Sequence, residues 1–134
     1  MTDEAYLSQA IQLAKQSTEP VGCGVVIVRH GGVIAQAFNS QRTDNIAINH
    51  AEIKAIIAAN TLLGTRELAQ AVAYCSSQPC AMCLTALSYA KVARIVFNKT
   101  MLDLFPDDPQ SKLDSYEFIK HLNFVPKFEQ LSLQ

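Results

Sequence analysis

Two short groups, far apart in the chain, restrict what it can become more than anything else in it: His50-Ala51-Glu52 and Pro79-Cys80-Ala81-Met82-Cys83. Imidazole nitrogen and thiolate sulfur are donors that Zn²⁺ favours in four-coordinate sites. Cys80 and Cys83, three apart at the start of a helix, lie on one face of it. If His50 joins them, the fold must bring two helix starts together. Three protein ligands then leave a fourth position open. An open site is how a protein activates water, whereas a structural zinc site is closed by a fourth side chain. A helix N-terminus carries partial positive charge and unpaired N–H groups. That favours the thiolate forms that ligation by Cys80 and Cys83 requires. Pro79 suits the start of the second helix because the first helical N–H has no partner to lose. Glu52 sits roughly 200° around the helix from His50, so it does not share the ligand direction. At the helix end its side chain can still reach beside the metal and carry a proton.

Each residue has a plainer reading when taken alone. A lone histidine is more often a core or capping residue, and a lone glutamate in a first helical turn is more often a solvated charge facing the helix dipole. The pair Cys80 and Cys83 could be a redox dithiol, or half of a four-cysteine zinc site. The other half is missing, because Cys23 and Cys75 form no close pair. A dithiol leaves His50, Glu52 and Pro79 unexplained. The joint reading accounts for all of them.

The chain has 134 residues, which suits one domain, residues 1–134, able to bury a core without disulfides. A net charge of −1 argues against a broad phosphate-binding surface. No apolar run approaches the length of a membrane span, and the acidic start "MTDEAYLSQAIQLAKQ" lacks the basic and apolar regions of a signal peptide. The expectation is a cytoplasmic protein with no membrane contact, whose four cysteines are thiols or metal ligands.

Apolar residues recur at helical spacing from Thr2 to Gln16, with Thr2 as a cap and Pro20 and Gly22 as stops. "GVVIVRHGGVIAQAFN" predicts a hairpin turning at His30-Gly31-Gly32 and ending at Phe38. His50 to Leu63 is a helix, apolar nearly all round and so expected to be deeply buried. "AVAYCSS" is a short buried strand, Cys80 to Lys91 another helix, and "RIVFN" a fourth strand. "PDDPQ" is a loop, "SKLDSYEFIKHL" a helix, and "FVPKFEQL" a fifth strand that Pro126 confines to an edge or bulge. The order implies an α/β fold with a mixed sheet between helices, including one right-handed parallel β-α-β crossover.

His-x-Glu followed by Pro-Cys-x-x-Cys is the signature of zinc deaminases. With these residues the chain resembles the cytidine deaminase superfamily over most of its length. "PVGCGVVIV" is similar to the first strand of the branch that holds guanine deaminase, tRNA adenosine deaminase and fungal cytosine deaminase. "CLTALSYAKVARIVF" resembles the helix and strand that follow the cysteines in that branch. The resemblance implies a three-layer α/β/α fold with a five-stranded mixed sheet and assembly as a homodimer or higher oligomer. It also implies one zinc per chain on His50, Cys80 and Cys83, and Glu52 as the proton carrier. Asn39 and the backbone N–H of Ala51 would contact the base. On the residues alone, Asn39 reads as a strand-end asparagine serving the backbone. The chain departs from the branch at "DNIAIN", where Asp-Pro-Thr-Ala is usual, at Gln78 in place of Glu, and at Cys23 in place of Ala. These departures bear on the substrate rather than the chemistry.

The expected reaction is hydrolytic deamination of a small nucleobase or nucleoside, with guanine or cytosine the first choices. One alternative is adenosine-to-inosine deamination of transfer RNA. The branch members that do this carry a Gly-rich stretch and a basic C-terminal helix; here Lys112, Lys120 and Lys127 alternate with Asp114, Glu117 and Glu129, and nucleic acid is not the expected partner. The other alternative is a zinc-binding oligomer subunit without catalysis, which the intact Glu52 argues against. The C-terminal aromatics Tyr116, Phe118, Phe124 and Phe128 could stack on a ring, but core packing is the stronger expectation.

Overall fold

A computed structural model describes residues 1–133. Helix α1 (Asp3–Ala14) starts where the sequence places its cap: the Thr2 hydroxyl accepts the Ala5 N–H at 3.1 Å. Strands β1 (Gly24–Arg29) and β2 (Gly32–Phe38) form the expected hairpin. His30 and Gly31 both take positive φ, 52° and 77°, as a two-residue turn of the type that matches strand twist requires. The remaining elements run in order: α2 (Gln41–Asp44), α3 (Ala51–Leu63), β3 (Val72–Ser77), α4 (Ala81–Tyr89), β4 (Arg94–Lys99), α5 (Met101–Leu104), a 3-10 turn (Pro109–Lys112), α6 (Ser115–Ile119) and β5 (Lys127–Gln130).

The five strands form one sheet in the order β2-β1-β3-β4-β5. β1 runs antiparallel to β2 and β3, while β4 is parallel to β3 and to β5, so the sheet is mixed. Alternate residues of the central strands face opposite layers. Val26, Val28, Tyr74 and Val96 pack on Tyr6, Leu7 and Ala10 of α1. Val25, Ile27, Ala73, Cys75, Ile95 and Phe97 pack on Ala55, Ile56 and Ala59 of α3 and on Leu84 and Leu87 of α4. Burial on both faces explains why these strands read as unbroken apolar runs. The α1 layer sits close to the sheet because Gly24 has no side chain: a Cβ there would lie 2.1 Å from the Ala10 carbonyl oxygen.

Three details differ from expectation. Helix α3 is not buried all round, since Ile57 is 59% exposed and Leu62 66%. The segment expected as one helix over Ser111–Leu122 is a 3-10 turn followed by the five-residue α6, because Asp108 and Asp114 each cap a new start. Helices α2 and α5, a single turn each, carry too few residues to show a period. β5 is the edge strand that Pro126 called for.

Candidate active site

The starts of α3 and α4 meet. His50 is the residue before the first turn of α3, and Cys80 holds the same position in α4. Such positions usually carry a Ser, Thr, Asn or Asp whose side chain bonds the exposed N–H groups. Neither His50 nor Cys80 does so, and both side chains are free to point at a common centre. Cys83, one turn into α4, is fully buried beside them.

The His50 Nδ1 atom lies 3.7 Å from Cys80 Sγ and 3.6 Å from Cys83 Sγ. All three donor atoms lie within 4.8 Å of one another. A tetrahedral ion with ordinary zinc–nitrogen and zinc–sulfur bonds separates its N and S ligands by about 3.6 Å. The three residues therefore fit zinc in donor type and in spacing. Their protonation agrees. The Cys80 thiol is lowered to about 4, chiefly by a hydrogen bond from Cys83 and also by one from His50. His50 is raised by its hydrogen bond to Cys80, and Cys83 is raised by donating to Cys80. These shifts favour the thiolate form of Cys80, which metal ligation requires.

Glu52 lines the same cavity and is only 6% exposed. Burial pushes its carboxyl up to about 7, with the Cys80 charge adding to the rise and the His50 charge opposing it. A carboxyl so placed gains and loses a proton near neutral pH.

Asn39 is 6% exposed, at the end of β2. Its side-chain oxygen accepts the Cys23 N–H at 2.8 Å, and its amide donates to the Val21 carbonyl at 3.0 Å. The backbone service read from the sequence is present, and Asn39 also lines the cavity with Ala51. The stretch "DNIAIN" is braced in place: Asp44 accepts from Ser40 and from Asn49, while Lys54 of α3 donates to Ser40 and to the Phe38 carbonyl. The Cys23 thiol, 3.1 Å from the Ser77 hydroxyl, is raised to about 11 by burial and stays protonated. Cys75, in the core, is raised by burial as well. All four cysteines are free.

The cavity measures about 230 Å³. The sequence reading missed one wall of it: Met101, Phe105, Asp108 and Gln110, from α5 and the 3-10 turn. Two glutamines fasten this wall. Gln78 accepts the Met101 N–H at 2.9 Å, and Gln110 accepts the Ala81 N–H at 3.1 Å. Gln78 is one of the departures noted above. Tyr116, Phe118, Phe124 and Phe128 do not line the cavity; Phe128 stacks on Phe97 and meets Tyr116 at a tilt, and Phe118 packs against the core. No described helix is long and apolar enough to cross a membrane.

Residues 1–99 match the sequence profile of the cytidine and deoxycytidylate deaminase zinc-binding region. The tRNA-specific adenosine deaminase of Bacillus subtilis is 39% identical over 97 residues, covering 71% of this chain and 60% of that protein. The guanine deaminase of the same organism is 35% identical over 100 residues, covering 72% of this chain and 64% of that protein. The match thus spans less than two thirds of either relative. Among solved structures, the B. subtilis guanine deaminase superposes with a TM-score of 0.75 at 27% identity, covering 100% of this chain and 88% of that one. A structure from a study of A-to-I editing by tRNA:A34 deaminases also gives 0.75, at 26% identity, covering 96% of this chain and 98% of that one.

Proposed function

The chain belongs to the cytidine and deoxycytidylate deaminase zinc-binding family, and from that premise we propose that it hydrolyses the carbon–nitrogen bond of an amino-substituted free nucleobase, guanine or cytosine first, releasing ammonia. The observation that carries this reading is the convergence of His50, Cys80 and Cys83 at two helix starts, with buried Glu52 facing the same ring-sized cavity.

His50, Cys80 and Cys83 would hold one zinc per chain, and the ion would supply a water acidified to roughly neutral pKa. Glu52 does the proton work. It takes a proton from the attacking water and returns it to the departing amino nitrogen. The ring carbon gains oxygen, its bond to nitrogen breaks, and ammonia leaves. The Ala51 N–H, at a helix start where no intrahelical partner exists, donates to a ring acceptor. Asn39 has one amide hydrogen left after its bond to Val21, and offers it to the base. The small cavity, below the roughly 300–1,000 Å³ of pockets for larger ligands, supports a free base over a nucleotide.

The zinc-loaded protein should release ammonia from one member of a panel of guanine, cytosine, adenine, their nucleosides, deoxycytidine and a pterin. Glu52→Gln should abolish that release, by about 10²-fold or more, while one zinc per chain stays bound. Silence across the panel in a protein holding its zinc would refute the small-molecule reading.

The 39% identity to a tRNA-specific enzyme supports a second reading, deamination of adenosine in transfer RNA. That activity should bring binding to transfer RNA that falls steeply with salt. We also propose a homodimer through the outer face of α3 and α4, where Ile53, Ile57 and Tyr89 line one shallow groove and Tyr89 is 78% exposed. Ile57→Glu should then convert a dimer to a monomer in sedimentation analysis.

A further inference from the structure

Gln41, the first residue of α2, lines the same cavity as His50 and Glu52. Its side-chain oxygen Oε1 is buried and has no hydrogen-bond partner, the one side-chain nitrogen or oxygen in that state among the described residues. Buried acceptors are nearly always paired, because an unpaired one has given up water and received nothing for it. Asn39, two residues earlier, makes the contrast: its oxygen is taken by the Cys23 N–H. One amide acceptor of this stretch serves the fold, and the other, on a residue that lines the cavity, is left without a partner. The backbone around Gln41 is well tied. Its carbonyl accepts the N–H groups of Asn45 and Ile46, its neighbour Ser40 bonds Asp44, and Lys54 holds Ser40 from α3. The unpaired oxygen therefore belongs to an ordered wall of the cavity and has no partner in the free protein.

We propose that Gln41 is a specificity-determining residue whose Oε1 accepts a hydrogen bond from a ring N–H of the free base in the cavity. The inference rests on the deamination reading above and adds to it the chemistry that selects the ring. A base that presents a ring N–H at this position pairs the oxygen. A ring that turns only acceptors toward it leaves two acceptors opposed, and sites built to bond a substrate group reject rings that lack it.

The test compares zinc-loaded wild type with Gln41→Met, which keeps length and loses the acceptor, and Gln41→Glu, which keeps an acceptor oxygen at the same reach. KM and kcat are measured on guanine and on cytosine, with zinc content and melting temperature alongside. On whichever base the wild type turns over, the Met variant should raise KM about tenfold or more with kcat little changed, and the Glu variant should keep KM within severalfold of wild type. Unchanged KM in the Met variant overturns the inference and leaves the deamination reading standing. A Glu variant as impaired as the Met variant overturns it too, since the acceptor would not be what matters. So does a Met variant that loses zinc or melts early, because an oxygen reserved for substrate holds nothing together in the free protein. Wild type that binds zinc yet deaminates neither base strikes the deamination of free bases first, and this inference falls with it.

Discussion

Asp3 fastens α1 to the sheet through its charge, and that makes the stability of this layer depend on pH. The Asp3 carboxylate accepts both terminal nitrogens of Arg94, at 3.1 and 2.6 Å, and the Tyr74 hydroxyl at 2.6 Å. Arg94 lies on β4 and also bonds Glu129 on β5, so α1, β4 and β5 meet at one guanidinium, and β3 joins them through the Tyr74 bond to Asp3. The hydrogen bond from Arg94, then that from Tyr74, lowers the Asp3 carboxyl from 3.8 to about 2. At 1.36 kcal/mol for each pKa unit, such a shift corresponds to about 2.4 kcal/mol in full. The side chains of Asp3 and Arg94 are 39% and 28% exposed, and screening reduces this to roughly 1–1.5 kcal/mol. The folded-state value is depressed, so the contribution is present above the unfolded value and is lost as pH falls through the folded one. About half should be gone by pH 3. Asp3→Asn should therefore destabilise the protein by about 1–1.5 kcal/mol at pH 7, and the gap between variant and wild type should narrow steadily below pH 4. Urea denaturation of both proteins in matched buffers measures this, and the difference removes the effect of zinc loss common to the two. A gap independent of pH would refute the argument, because the loss would then come from packing or the Tyr74 bond rather than from the carboxylate charge.

The other expectations concern packing and the metal. Gly24→Ala should destabilise by about 1–3 kcal/mol, because its Cβ would meet the Ala10 oxygen at 2.1 Å and the Ala14 nitrogen at 2.7 Å. Gly32→Ala, with only the Arg29 oxygen at 3.8 Å, should change the melting temperature little; equal losses in the two would refute the close-approach argument. Leu84→Ala empties a fully buried position next to Cys83 between α4 and the sheet, and should cost about 2–5 kcal/mol in denaturant titration. Removing zinc with a chelator should lower the melting temperature, since ligation by His50, Cys80 and Cys83 stabilises the folded chain over the unfolded one. An identical melting curve after the metal is stripped would argue against a bound ion at these residues.

The zinc site was legible in the sequence because ligand chemistry is local: only certain side chains hold the metal, and helix starts need particular residues around them. His50 and Cys80 stand where a capping side chain would be expected and do not cap. The sheet was legible because strands covered on both faces leave unbroken apolar runs such as "GVVIV" and "RIVF". The cavity wall was not, since Met101, Phe105, Asp108 and Gln110 come from short turns with no period of their own, placed by the hydrogen bonds that Met101 donates to Gln78 and Ala81 donates to Gln110.

The apolar pattern of helix α3 overstates its burial for a different reason. An all-round apolar helix reads as buried, yet Ile57 and Leu62 lie at the surface while Ala55, Ile56 and Ala59 pack inward. The pattern records every apolar demand on the helix and does not separate the demand of this chain's core from that of another surface. The same helix has to hold His50 and Glu52 in position at its start. A partner resting on its outer face, as proposed above, would therefore press on the element that carries His50 and Glu52, and the proposed assembly and the proposed catalysis would depend on one helix. The Ile57→Glu variant separates the two: if it becomes monomeric yet keeps wild-type kcat, the outer face serves association alone; a parallel fall in kcat would mean that α3 needs support from both sides to hold Glu52 in place.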